Sequence, residues 1–405
     1  MEKKKILVLN GSFCELPLIK KAKQMGFYVI TTGNMPNLTG HKFADQYIGC
    51  DYSNKEAILQ LVKDNHIEGI ISCANDFGVL TAAFVCEKMG WNNRQDSYET
   101  AMIMHHKDLF KKFTYDNNIS APISTCVKSI GEAEKIIKKV AFPIIVKAND
   151  LTGGKGIKMA ENIEEAKLAI EYAFAQSRDK IVLIEPFLKG TQHTFETFIV
   201  NGEPVTYTSC NCYSPINPYL IQTEIFPADN IEKYKNELLD IVYKICHKLN
   251  LKDGILALQY IVCDENLYII EMMRRPFGND FLTLCAFTTG FDMIEGHIRS
   301  QLGMECQCLI DKMHEPEMRF CGHHGIMADH NGYVKGYTIP EDIRKHIYKK
   351  IDMFADGKMF LVEDYLKDRI AYIFYQYDNK EEMLRDVLGF NERIQIHYTD
   401  DNKTC

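Results

Sequence analysis

Long apolar runs are the first thing missing from this 405-residue sequence. No stretch approaches the ~20 consecutive apolar residues of a membrane-spanning helix. The opening, MEKKKILVLNG, holds only a four-residue apolar run before Asn10, too short for the core of a secretory leader. A surplus of positive charge is missing too, because 47 Lys and Arg face 55 Asp and Glu, a net charge of −8. That balance argues against a broad phosphate-tracking surface for nucleic acid and leaves room for a local basic pocket. The 14 cysteines are scattered and contain no Cys-x-x-Cys, so reduced thiols in a cytoplasm are expected rather than a disulfide framework. Both familiar phosphate motifs are absent. The turn after the first apolar run has one glycine, Gly11, and not Gly-x-Gly-x-x-Gly. The run Thr152-Gly153-Gly154-Lys155-Gly156 lacks the Ser or Thr that follows Lys in a P-loop. There is no internal repeat and no low-complexity segment. What is present is a globular composition, 46% hydrophobic and 25% charged, on a chain long enough for two or three compact units.

The first ninety residues alternate in an α/β rhythm. Ile6 to Leu9 reads as a strand, and Leu18, Ile19, Ala22 and Met25 mark one face of a helix. Tyr28 to Ile30 is the next strand, a helix around Ala57 to Val62 follows, then a strand over Ile67 to Ser72 and a helix from Val79 to Met89. Strand, helix, strand in this order predicts parallel pairing with right-handed crossovers. Ser97 to Phe113 reads as one helix with His105, His106 and Lys107 in its middle. Beyond Pro122 come a strand (Ile123 to Val127), a helix (Gly131 to Val140) with Ser129 and Glu132 spaced as a capping box, and a strand ending at Lys147. A second strand (Ile157 to Ala160) and a helix capped by Asn162 complete a small α+β unit. Ile181 to Glu185 is an apolar strand ending in a carboxylate. Asn201-Gly202 predicts a tight hairpin between His193–Val200 and Pro204–Thr208, and Ile231 to Leu249 is a long amphipathic helix.

The hairpin of Leu256–Cys263 and Leu267–Met273 carries the most informative geometry. With residues 264–266 as its loop, Gln259 faces Glu271 and Ala257 faces Met273. A carboxylate beside an amide oxygen, with Arg274 and Arg275 just behind, suits a hard cation that bridges phosphate oxygens. The plainer alternative is a solvated strand end. Lys147 closes a buried strand, where an ammonium is costly unless an anion meets it. The amides of Gly153, Gly154 and Gly156, with Lys155, form a candidate anion nest; a hairpin loop with solvated lysines is the alternative. Glu185-Pro186-Phe187-Leu188 is a candidate hinge for an adenine edge. On the substrate side, the loops Asn10-Gly11-Ser12 and Asn75-Asp76-Phe77-Gly78 leave the carboxyl ends of strands, where open α/β sheets take ligands. Cys210-Asn211-Cys212 reads as small apolar thiols on a strand rather than a metal site. Cys321-Gly322-His323-His324 could coordinate zinc but lacks neighbouring ligand pairs, and it could instead reach the active site.

Taken in order, these pieces resemble the ATP-grasp superfamily of ligases, in its carboxylate-amine, biotin-carboxylase-like and carbamoyl-phosphate-synthase-like branch. The motifs are HHKDLFKKF, FPIIVKAND, LTGGKGIK, IEPFL and IIEMMRRPFGND. The resemblance implies a mixed α/β and α+β chain with an ATP-grasp fold. A Rossmann-like pre-ATP-grasp domain would span 1–100, and a linker helix and small lid subdomain 101–183. A catalytic C-terminal α+β body would span 184–310, with an α+β extension packing on it over 311–405. The stretch from Asp364 to Ile373 is similar to the last domain of biotin-carboxylase-like members. By the same resemblance Lys107 and Lys147 hold the phosphates of ATP while Gly153, Gly154, Lys155 and Gly156 close over them. Glu185, Phe187 and Leu188 face the adenine, and Gln192 and His193 stand where family members meet the ribose. Gln259 and Glu271 carry Mg²⁺, with Mn²⁺ as a substitute, and Arg275, Lys155 and Glu271 serve catalysis. Three positions depart from the family pattern. Gln192 and His193 replace the usual ribose-binding Glu, Gln259 replaces a carboxylate, and Met273 replaces an Asn, with Asn279 or Asp280 as nearby stand-ins. The implied reaction joins a small carboxylate, such as an amino acid, to an amine through an acyl phosphate, releasing ADP and phosphate. The alternatives are a bicarbonate-activating carboxylase and a non-enzymatic ATP-binding protein. Small-molecule partners and a homodimer are expected, with no nucleic acid and no membrane.

Overall fold

A computed structural model of the chain describes residues 3–353, 359–362 and 369–399. Strand Lys5–Leu9 lies between Tyr28–Gly33 and Gly69–Ile71, parallel to both. Leu7 and Leu9 enter one core cluster and Ile6 and Val8 another. This is period-two alternation with both faces covered, as parallel sheets require. Helices Leu16–Gln24, Lys55–Asp64 and Asp76–Lys88 supply the cover. Asn54 and Asn75 cap the last two by accepting from the amides of Ala57 and Phe77. A fourth strand, Gln46–Gly49, forms the sheet edge. It escapes a sequence reading because none of its four residues is fully buried, so it carries no apolar run.

The helix expected from Ser97 to Phe113 is two helices, Tyr98–His105 and Lys107–Asp116. They are separated by His106 in an extended conformation (φ −86°, ψ 121°). The cause lies forty residues away: the Asn149 side chain accepts from the Asp108 amide at 2.8 Å and caps the second helix from outside. Lys107 therefore opens a helix instead of sitting mid-helix.

Four antiparallel strands form the second sheet, in the order Thr125–Val127, Val182–Pro186, Ile144–Ala148, Ile157–Ala160. One face, with Val127, Ile144, Val146, Ala160, Val182 and Ile184, packs on helices Ile130–Ile137 and Ile163–Gln176. Register puts Ile145, Lys147, Ile157, Met159, Leu183 and Glu185 on the other face. One face thus serves the core, and the other sets Lys147 and Glu185 among apolar side chains.

The third sheet has eight antiparallel strands, and three of them (Phe320–Met327, Ile347–Asp352, Arg369–Tyr377) come from beyond residue 311. The tail thus continues the body sheet through strands of its own. Of the stretch from Asp364 to Ile373, residues 364–368, including Asp364, Tyr365 and Leu366, lie outside the described residues. Asn201 and Gly202, at φ 54° and 82°, make the expected hairpin turn. The hairpin of Gly254–Cys263 and Asn266–Met273 is tighter than expected. Its loop is two residues, Asp264 and Glu265, both left-handed. A bulge between Gln259 and Tyr260 takes up the difference, so Gln259 still pairs with Glu271 and Ala257 with Met273. Helix Met293–Gln301 ties the body to the first sheet, burying Ile298 there, while Lys21 pairs with Asp292 at 2.6 Å.

Candidate functional site

Lys107 and Lys111 lie one turn apart on helix Lys107–Asp116 and so share a face. Lys107 Nζ donates to the carbonyl of Asn149 at 3.3 Å and to that of Leu151. Lys111 Nζ is 3.1 Å from one oxygen of Glu185, and Lys147 Nζ is 2.8 Å from the other. Burial alone would push the Glu185 carboxyl up, but Lys147 and Lys111 outweigh it and hold the group below its ordinary value. Burial lowers Lys107, with the Glu271 carboxylate as the largest opposing influence and Lys147, Asp76 and Glu185 also felt. It brings Lys111 down to about 8. Lys111 was not singled out from sequence, although its i+4 spacing from Lys107 was the available signal. The anion that meets Lys147 is the chain's own Glu185.

Glu271 lies across from Gln259, and burial pushes its carboxyl up against the pull of Lys107. One carboxylate and one amide oxygen are hard donors that fit Mg²⁺, which keeps several waters and binds few protein groups beside phosphates. Met273 is buried in the body core at 2% exposure and offers only a thioether. Of the two stand-ins only Asp280 is committed elsewhere; Asn279 Oδ1, the atom that would meet a cation, is buried and has no hydrogen-bond partner among the described residues. Asn279 Nδ2 donates to Glu224 at 2.9 Å, and Asp280 pairs with Lys349. Gln259 and Glu271 suit one Mg²⁺, and Asn279 Oδ1 is a further hard oxygen without a partner among the described residues.

Arg274 and Arg275 divide the work. Arg274 bonds Asp96 at 2.8 Å and the Ile255 carbonyl at 2.6 Å, which ties it into the scaffold. Arg275 reaches across to the first domain and pairs with Asp76 at 2.8 Å. The loop at Asn75-Asp76 thus touches the site directly. The loop at Asn10-Gly11-Ser12 is already filled by the side chain of Glu15, whose carboxyl is pushed up by burial. The Glu15 carboxylate accepts from the Ser12 amide at 2.9 Å, the Ser12 hydroxyl at 2.7 Å and the Ala74 amide at 3.0 Å.

Gly153, Gly154 and Gly156 have φ of 66°, 78° and 68°, a conformation that favours glycine. A Cβ on Gly154 would stand 2.6 Å from the Tyr219 carbonyl oxygen. The Tyr219 hydroxyl in turn accepts from the Met159 amide at 2.7 Å. The loop is closed against the body here, with Lys155 exposed at its tip. The Phe187 amide donates to the Pro143 carbonyl at 3.0 Å, and Leu188 beside it is half-buried. Ile145 and Ile157, on the Lys147 face of the lid, and Ile261, on the Gln259 side of its strand, are half-buried and join no core cluster. No motif marked these three apolar side chains. Gln192 shares the Gln259 face. His193 does not: it points behind the sheet, stacked on Tyr260 at 5.0 Å.

Residues 106–308 match the family model for the carbamoyl-phosphate synthase L chain, ATP binding domain. The carbamoyl phosphate synthase large chain of Clostridium acetobutylicum is 23% identical over 302 residues, 71% of this chain and 27% of that protein. The chain thus spans about a quarter of the length of such relatives. The L-amino acid ligase of Bacillus licheniformis superposes over 99% of this chain and 100% of its own, with a TM-score of 0.82 at 14% identity. The biotin carboxylase domain of the Hydrogenobacter thermophilus 2-oxoglutarate carboxylase, solved as a dimer with MgADP, ADP and bicarbonate, covers 99% of this chain and 92% of its own. Its TM-score is 0.77 at 20% identity. Among the described residues no helix is long and apolar enough to cross a membrane. The chain has the ATP-grasp fold and belongs to the family of the carbamoyl-phosphate synthase L chain ATP-binding domain.

Proposed function

We propose that this chain is an ATP-dependent ligase that joins a small carboxylate to an amine through an acyl phosphate. The observation that carries the reading is that the fold brings Lys107, Lys111, Lys147, Glu271 and Arg275 close enough to act on one another or on shared partners. Ile145, Ile157 and Ile261 would flank the adenine, with Glu185 and Leu188 at its edge and Gln192 toward the ribose. Lys107 and Lys147 would neutralise the phosphates beneath the glycine loop. Mg²⁺ held by Gln259 and Glu271 would neutralise further phosphate charge. A substrate carboxylate oxygen bonds to the γ-phosphorus as the bond to the β–γ bridging oxygen breaks and ADP leaves. The amine then attacks the acyl carbon, phosphate departs, and the amine gives up a proton. Arg275 faces the oxygens on which charge develops, and Lys155 closes over them. Such transfer is mostly positioning and charge neutralisation, and lid closure keeps water from the acyl phosphate.

A second reading, activation of bicarbonate to carboxyphosphate, is favoured by Gln259 and by the carboxylase likeness. A phosphate-release screen with ATP and Mg²⁺ separates the two. Release that needs an amino acid and an amine supports the ligase; release with bicarbonate alone supports the carboxylase. ATP binding without phosphate from any combination sinks both. Lys147→Ala should weaken ATP binding. Glu271→Gln should keep it but cut turnover by roughly 10²–10³-fold, the cost of losing one preorganised electrostatic partner. Unchanged turnover in Glu271→Gln removes the metal assignment.

A further inference from the structure

Two sequence fragments outside the proposed ATP site, each too sparse alone to specify a metal, meet inside the body sheet. Strand Thr223–Phe226 lies between Glu203–Tyr213 and Phe320–Met327. Cys212 is paired with Glu224, and Glu224 with His323. Cys210, two residues before Cys212, shares that face. The ligand atoms of Cys210, Cys212 and Glu224 lie within 4.8 Å of one another. His323 Nε2 is 2.6 Å from the Glu224 carboxylate. All four residues are interior, with exposures of 0%, 8%, 0% and 0%.

Thiols on a buried strand need no explanation by themselves, because free cysteine packs as a small apolar side chain. The carboxylates do need one. Glu224 Oε1 has no hydrogen-bond partner, and neither oxygen of Glu196 has one. Glu196 lies on the neighbouring strand Thr191–Val200, on the same sheet face, opposite Thr208 and next to the Cys210 row. Interiors seldom leave acidic oxygens without a donor, since the desolvation cost is several kcal/mol per ion. A cation lying among them removes that cost.

We propose that Cys210, Cys212 and Glu224 bind a zinc ion, with His323 as the positioning residue that orients the Glu224 carboxylate. Two thiolates and a carboxylate form a mixed sulfur and oxygen set, which selects borderline-soft Zn²⁺ over the all-oxygen cations Mg²⁺ and Ca²⁺. The imidazole–carboxylate pairing is the arrangement that tunes ligands around metals. The ion would tie strand Glu203–Tyr213 to Thr223–Phe226. It shares a sheet face with Gln259 and lies one strand away, since Gln259 pairs with Thr194 and Thr194 with Cys210; it needs neither ATP nor turnover to be detected.

The test uses the full, untagged chain purified from zinc-supplemented cells. Elemental analysis should find one zinc per chain. Exchange with Co²⁺ should give a thiolate-to-cobalt charge-transfer band that saturates at one equivalent. Cys210→Ser and Cys212→Ser should each abolish the band, Glu224→Gln should weaken it, and His323→Gln should lower metal affinity about 10–100-fold. Glu271→Gln should leave the band untouched, which separates this site from the proposed magnesium site. Substoichiometric zinc together with no thiolate band in the wild-type chain overturns the proposal, as does a band that survives in the cysteine double variant. If the cysteine variants fail to fold, the wild-type stoichiometry and cobalt spectrum decide by themselves.

Discussion

Glu185 and Glu196 are both interior strand residues, 2% and 0% exposed, and their surroundings are opposite. Glu185 lies between two ammonium groups at 3.1 and 2.8 Å. Glu196 has no hydrogen-bond partner, and its strongest charged neighbour is another carboxylate, Glu224. Burial penalises the charged form of both, so the partner decides the outcome: Glu185 is held down and Glu196 is pushed up. Glu185 therefore holds Lys111 and Lys147 in place without a ligand. The body keeps carboxyl oxygens, both of Glu196 and one of Glu224, that no donor among the described residues meets.

The sharpest way to break this contrast is Glu185→Gln. It leaves Lys111 and Lys147 buried without their anion, and should cost about 3–5 kcal/mol, read from urea unfolding. An unchanged unfolding midpoint would mean that the two ammonium groups do not depend on Glu185.

Smaller, and opposite in sign for the two residues, is the dependence on pH in metal-stripped protein. The folded value of Glu185 lies below its unfolded one. Its stabilisation is present above the unfolded value near ~4.3 and is lost as pH falls toward the folded value. The folded value of Glu196 lies above its unfolded one. The unfolded chain therefore ionises first, and stability drains as pH rises past ~4.3, by at most ~1.4 kcal/mol per unit. Stability measured from pH 3 to 8 should lose part of its acid limb in Glu185→Gln and part of its alkaline-going decline in Glu196→Gln. The remainder belongs to other lowered carboxyls such as Asp76 and other raised ones such as Glu15 and Glu271. Slopes of the same sign would erase the distinction.

The smallest effect is Glu196→Gln at pH 4. A protonated carboxyl and an amide have nearly the same shape, so stability should stay within about 1 kcal/mol of wild type. A loss near that expected for Glu185→Gln would show that Glu196 is charged and supported after all.

Much of the lid was legible because its signals are local. Ser129 and Asn162 cap their helices as their spacing implies, accepting from the amides of Glu132 and Glu165. The alternation from Ile144 to Lys147 separates a core face from the face of Lys147. The pairing of Gln259 with Glu271 was legible through a wrong premise. A three-residue loop and a straight ladder give the same register as a two-residue loop and a bulge. What was not legible depended on distant partners. Asn149 breaks the helix at His106, Glu185 recruits Lys111, and Glu15 fills the first-domain turn. His193 was placed with Gln192 from the sequence, yet adjacent strand residues point to opposite faces, and the pleat sends it behind the sheet.

The sequence alone determined what turn chemistry and periodicity can encode. That covers the parallel first sheet, the helix Ile231–Leu249, the Asn201-Gly202 turn and the order of the ATP-grasp motifs. Only the tertiary structure decided which charges meet. Whether a carboxylate finds two lysines or another carboxylate depends on which strands lie side by side, across separations of tens of residues. Burial then magnifies the result, because removing water raises the cost of every unpaired charge. Fourteen scattered cysteines and a near-absence of motif spacing looked like inert chemistry. The sheet register that sets Cys212 beside Glu224, and Glu224 beside His323, is what gives two of those thiols a place to act.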